Sequence, residues 1–105
     1  MTLPFEFHPE ARVEFFAEID WYDAREVGLG DRFEAGVLLA VDDSVDSPDA
    51  WPPWPGWNPP PVVRSKQVQG FPFRVVYFVE HDLLKVVAVA HSKRRPGYWR
   101  DRVSV

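Results

Sequence analysis

Apolar and polar positions recur with two different periods along the chain, and the change of period divides it. From residue 9 to about residue 27, Val13, Phe16, Ala17, Ala24 and Val27 recur at helical spacing, with Phe15, Ile19 and Tyr22 widening the stripe. Glu14, Glu18 and Arg25 fall opposite, so the pattern predicts a helix whose carboxylates face water. Pro9 suits its first turn, where the missing N–H is harmless, and Gly28 is expected to end it as a C′ residue. Asp31 and Glu34 are spaced like a capping box and open a second helix. Its apolar stripe is Phe33, Val37, Leu38 and Val41, and Ser47-Pro48 stops it. The short Gly28-Leu29-Gly30 link makes the two helices an antiparallel αα-hairpin.

Beyond residue 61 the pattern turns to period two and to β-branched and aromatic residues. Segments 62–69, 73–80 and 83–90 read as strands, parted by Gly70-Phe71-Pro72 and by a tight turn at His81-Asp82. Such short connections predict an antiparallel meander. Phe5-Glu6-Phe7 reads as an edge strand, and Pro96 as the start of a short C-terminal helix. The expected class is α+β: an N-terminal strand, an αα-hairpin, a three-stranded antiparallel meander and a short C-terminal helix. The helices cover one face of the sheet, leaving the other to solvent, a loop or a partner.

Between hairpin and meander lies "DAWPPWPGWNPPP", residues 49–61, with six of the chain's 11 prolines and three of its five tryptophans. Proline excludes a helix here and removes donors from a strand, so a loop of polyproline character follows. Trp51, Trp54 and Trp57 either fold back onto the domain or serve a proline-binding partner; burial is favoured because rings of that area seldom stay in water.

Composition narrows the setting. At 105 residues with 46% hydrophobic content the chain suits one packed domain, 1–105. No apolar run approaches the roughly 20 residues of a membrane-spanning helix, and "MTLPFEFHPEA" lacks a signal-peptide layout. A cytoplasmic protein with no membrane partner is expected. The absence of cysteine excludes disulfides, thiolate metal sites and a cysteine nucleophile. The net charge of -4 conceals a division: residues 1–50 carry 13 Asp+Glu against 3 Lys+Arg, and residues 51–105 carry 3 against 9. One end is therefore suited to an anionic partner, although solvated helix faces also collect carboxylates.

Most of the basic residues that bear on chemistry lie late in the chain. "HSKRRPGYWRDR" gathers His91, Lys93, Arg94, Arg95, Tyr98, Trp99 and Arg102 just after the last strand. Arg64 and Lys66, two apart, share one face of the first meander strand, and Arg74 begins the next. In a meander, Arg64, Lys66, Arg74, His91, Arg94 and Arg95 are expected to converge as a basic patch interleaved with aromatics, suited to phosphates and bases. RNA cleavage by the 2′-OH would ask proton transfer of His91 or Tyr98 and charge stabilisation of Arg74, Arg94 or Arg95. Tyr98 and Trp99 read equally well as a latch that docks the C-terminus on the core. His8, His81 and His91 have no ligand spacing, and there is no phosphate loop or nucleophile elbow, so no metal or other cofactor is expected.

"FHPEA" at 7–11, "DWYDAREVGLGDRF" at 20–33 and "FPFRVVYFVEHDLLKVVAVAHSKRRPGYWRDR" at 71–102 together resemble toxins of the RelE/ParE superfamily from bacterial type II toxin–antitoxin systems. The resemblance implies a cytosolic growth inhibitor, neutralised by a cognate antitoxin in a hetero-oligomer. RelE-like members cut mRNA on the ribosome, and by position Lys66, Arg74, Arg94 and Tyr98 would be the catalytic candidates, with His91 beside them. ParE-like members inhibit DNA gyrase without that set, and "FHPEA", "WY" and "RRPGYWR" look closer to this branch. Arg64, Lys93, Arg95, Trp51, Trp54 and Trp57 are then binding candidates. The chain departs from the family in its acidic net charge and in a proline-tryptophan loop where a short connection is usual. A member that has lost toxicity and serves as an interaction module is the third reading.

Overall fold

In a computed structural model, which describes residues 2–103, the chain forms a four-stranded sheet with a helical hairpin on one face. The elements run β1 (Phe5–Phe7), α1 (Pro9–Arg25), α2 (Leu29–Asp46), β2 (Val63–Gln67), β3 (Phe73–Glu80) and β4 (Leu83–His91). The sheet order is β1-β4-β3-β2: the meander is antiparallel as expected, and β1 adds to its edge parallel to β4. His81 and Asp82 take left-handed backbone at φ 54 and 60, which closes the β3–β4 hairpin in two residues.

Each face of the sheet carries its own core. On the hairpin side Phe15, Phe33, Val37, Val41, Phe73, Tyr77 and Val86 are buried together, with Tyr22 packed edge-on against Phe71 and Phe73, and Phe33 edge-on against the same two rings. On the other side Val63, Val76, Phe78 and Val87 meet Trp99, covered by Trp54 and Trp57 of the loop. The loop thus folds back as expected. Its backbone also pairs with the β2 edge, Trp54 N–H donating to Val63 O at 2.7 Å and Ser65 N–H to Pro52 O at 3.3 Å. That pairing covers an edge that would otherwise offer free donors and acceptors.

Several local expectations need correction. The buried side of α1 is set by Ala11 and Phe15; Val13 and Phe16 are 69% and 49% exposed, and Ala17, Ala24 and Val27 also face out. At about 100° per residue, the stripe read from the sequence therefore lies nearly half a turn round the helix from the packed side of Ala11 and Phe15, which Ile19 and Tyr22 continue. In α2 Phe33, Val37 and Val41 are buried as expected, but Leu38 is exposed. Gly28 does not end α1, whose cap is Glu26; at φ 87 it is the N-cap of α2. Asp31 makes no cap there, and the Gly30 N–H donates instead to Asp23 Oδ1 of α1 at 2.8 Å. A Cβ on Gly30 would stand 2.5 Å from Ile19 O, so glycine is what lets the two helices approach this closely. The predicted C-terminal helix is only a 3₁₀ turn at Arg100–Arg102, because Gly97 at φ 77 breaks any helix begun at Pro96.

Candidate functional site

The chain after β4 returns across the sheet to α1 and is fastened there by Glu14. Arg102 grips this carboxylate with two nitrogens, NH1 on Oε1 at 2.9 Å and NH2 on Oε2 at 2.7 Å. Its Nε faces Glu10 at 3.1 Å, and NH1 also donates to Val87 O. The Tyr98 hydroxyl donates to Glu14 Oε1 at 3.2 Å. Burial, and then the Glu14 charge, push the Tyr98 hydroxyl up to about 12. Trp99, buried at 1%, fills the space under Trp54 and Trp57, with ring centroids 5.1 and 5.6 Å away. Its Nε1 has no acceptor among the described residues. The latch reading of Tyr98 and Trp99 matches this arrangement, and the solvated-face reading of Glu14 does not: its side chain is 18% exposed.

The same return path encloses a hollow of about 210 Å³ at the end of β3 and β4, lined by Trp54, Arg74, His91, Arg94, Arg95 and Tyr98 among others. Arg74 reaches it from β3 and is held by Ser65 Oγ at 2.8 Å, Gln67 Oε1 at 3.1 Å and Ser65 O at 3.3 Å. Arg94 lies over the Tyr98 ring at 3.9 Å, a separation at which a cation is attracted to the ring face. The His91 ring packs edge-on against Phe73, and its Nδ1 accepts from Lys93 N–H at 3.0 Å.

Arg64 and Lys66 do share a face, but it is the wrong one for convergence. The register pairs Arg64 with Tyr77 and Lys66 with Val75, both in the core under the helices, whereas Arg74 pairs with Gln67 on the loop side. Arg64 donates to Trp51 O at 2.8 Å, and the Lys66 ammonium sits 4.1 Å over the Trp51 ring. Trp51 is itself tied to α2 by Nε1 donating to Asp43 O. The expected patch is thus two clusters on opposite faces of the sheet. Lys93 is exposed on the turn after β4, and Trp57 donates to Pro61 O within its own loop. Among the described residues no three His, Asp or Glu side chains gather as a metal site.

No protein-family profile matches the sequence, and no curated protein matches it. Three-dimensional comparison does find a likeness. A chain of the solved structure of the chromosomal ParDE TA system from P. aeruginosa superposes with a TM-score of 0.71 over 86% of this chain and 96% of that one. The two chains share a fold. At 13% identity the likeness is one of architecture, and it is an architecture of the strand–hairpin–meander order inferred from periodicity. Glu14 was missed as part of the site because its partners Tyr98 and Arg102 lie 84 and 88 residues on, where no local spacing signals them.

Proposed function

We propose that the chain is the toxin of a type II toxin–antitoxin pair, a cytoplasmic single-domain growth inhibitor held in a hetero-oligomer by its cognate antitoxin. Its fold likeness to a chain of a ParDE TA system supports this reading. Within it we favour a ParE-like toxin that acts by binding, with DNA gyrase as target. What carries the choice is the condition of Tyr98. A proton-transfer group works best with a pKa near the operating pH and a free path to substrate. The Tyr98 hydroxyl, pushed up to about 12, is instead engaged by Glu14. Lys66, the second candidate, lies across the sheet from Arg74. The ribosome-dependent ribonuclease remains the alternative, favoured by His91, Arg74 and Arg94 around one hollow.

Induction of the chain in a bacterial host, with separate readouts of gyrase supercoiling and of mRNA 5′ ends, tests the choice. Growth arrest with loss of supercoiling, retained by Tyr98→Phe, is the expected result. Codon-phased mRNA cuts abolished by Tyr98→Phe or Arg94→Ala would establish the ribonuclease. Normal growth at confirmed soluble expression would favour the interaction module.

A further inference from the structure

Residues 52–61 of the proline-tryptophan loop run along the sheet between two fixed ends. Trp51 is one, its Nε1 donating to Asp43 O and its carbonyl accepting from Arg64 at 2.8 Å; Val63, buried in β2, is the other. Between them six residues are proline and offer no N–H. The segment meets β2 at one bridge, Pro53 opposite Arg64, flanked by the Trp54 and Ser65 hydrogen bonds. Its Trp54 and Trp57 rings rest on Trp99. Among the described residues three hollows follow its border. Trp54 walls the hollow of about 210 Å³ that holds Arg74 and Arg94. A hollow of about 320 Å³ separates Trp57 and Pro59 from Arg100 and Asp101. Another of about 320 Å³ separates Pro61 and Val62 from Pro48 and Asp49. Core elements meet with few voids, and this seam does not. Under it lies Trp99 Nε1, a buried donor with no acceptor among the described residues. That donor costs the closed arrangement free energy, and water satisfies it once the segment lifts.

We infer that residues 52–61 are a strap that opens as a unit while the rest of the fold stays closed, and that it gates the β2 edge and the Trp99 face of the sheet. Proline stiffens the segment toward polyproline geometry, so it swings between its ends rather than fraying residue by residue. The half-buried Trp54 and Trp57 rings supply the closing force. The under-filled seam and the orphaned Trp99 donor weaken it. Opening frees the Ser65 N–H and the Val63 carbonyl on the β2 edge, uncovers Trp99 and removes the Trp54 wall of the basic hollow. The closed strap is thus an autoinhibitory contact, because a ligand reaching the edge or the ring face must first displace Trp54. The device stands on the loop's own contacts and not on the toxin reading; on that reading the closed form is the restrained one.

Hydrogen exchange of the full native chain, followed by NMR, tests this without any variant. The Trp54 and Ser65 amides and the Trp99 indole N–H should share one opening equilibrium, with protection at least about 100-fold below that of the β3–β4 ladder amides. Low urea should speed exchange of the ladder far more steeply than that of the strap, since lifting the strap exposes little surface. A covalent lock then identifies the moving part. Pro53→Cys with Arg64→Cys places the chain's only two thiols at a pair flanked rather than joined by hydrogen bonds, where Cα atoms come close enough for a disulfide. Oxidation should raise protection of the Trp99 indole at least about tenfold over the reduced form of the same variant. Protection of Trp99 and Ser65 equal to that of the ladder in the native chain would mean that no separate opening exists. Fast exchange of Trp99 that the disulfide leaves unchanged would mean that Trp99 is reached by another route. Either result overturns the inference. Growth is not measured, so a chain that opens its strap without arresting growth refutes the toxin reading alone.

Discussion

Glu14 holds three groups at once: two nitrogens of Arg102 and the hydroxyl of Tyr98. Removing one member of a buried ion pair costs roughly 3–5 kcal/mol because the other charge is stranded. Here the two side chains keep 12% and 18% of their exposure, so water softens the loss. Glu14→Gln and Arg102→Met should each lower unfolding free energy by about 2–3 kcal/mol. The double variant should fall well short of the sum, as contacting residues do; additive losses in denaturant titrations would mean that the pair is not coupled. Tyr98 adds a dependence on pH. Its neutral form is favoured in the folded chain, where it titrates at about 12 rather than 10. The unfolded chain therefore loses this proton first, and the stabilisation, complete below pH 10, declines as pH rises toward 12. Tyr77, raised by burial to about 12 and donating to Pro48 O, acts in the same direction. Urea midpoints should fall between about pH 10 and about pH 12, and Tyr98→Phe should remove part of that fall while Tyr77 keeps the rest.

Strands were legible in the sequence and helix phase was not. In β2 and β3 the side chains alternate between two cores, and in β4 they do so on either side of a bulge at Val87-Ala88, both of which face the loop-side core; away from the bulge one residue of slip would turn every side chain to the wrong side. Helix α1 has apolar residues all round: Phe15 packs on the sheet side while Phe16 beside it and Trp21 further on are half exposed. Periodicity then admits two apolar faces on nearly opposite sides of α1, and the choice falls to tertiary contacts such as Glu14 with Arg102, which lie far apart in the chain. A paired substitution reads the phase directly. Phe15→Ala should cost about 3–5 kcal/mol as a core truncation, whereas Phe16→Ser should change stability by no more than about 0.5 kcal/mol. Equal losses would mean that α1 is turned in solution. The loop was legible as a packed element through its tryptophans, but not its pairing with β2, since prolines ordinarily argue against a strand. Trp54→Ser or Trp57→Ser should each cost about 2–3 kcal/mol, less than the ~3–5 of a fully buried ring. Each should also uncover Trp99, seen as a red shift of its emission.

Across the whole molecule the charge division is only partly a division in space. Carboxylates dominate the hairpin, while Arg74, Arg94 and Arg95 gather where β3 begins and β4 ends, with Glu14 and Glu18 of α1 lining a hollow that Arg94 shares and the carboxylates of α2 farther along the chain. The principal extents are 40 × 31 × 22 Å. Screening acts over about 10 Å at 0.1 M salt and about 30 Å at 0.01 M. At the higher salt a charged surface senses only the end of the molecule that touches it; at the lower it senses nearly all of it. A sulfonate cation exchanger at pH 7 should therefore retain the protein despite its net charge of -4, and retain it better near 0.1 M than near 0.01 M salt. Contact through the arginines is attractive at both, but at low salt the repulsion of the acidic hairpin reaches the resin and cancels it. At high salt the arginine contact is screened too, so retention passes through a maximum. Arg94→Gln with Arg95→Gln should abolish that maximum and send the protein through at every salt concentration. A native chain that flows through unretained at all of them would show that the cations do not act together as a patch, and the acidic total would then govern how the molecule meets its partners.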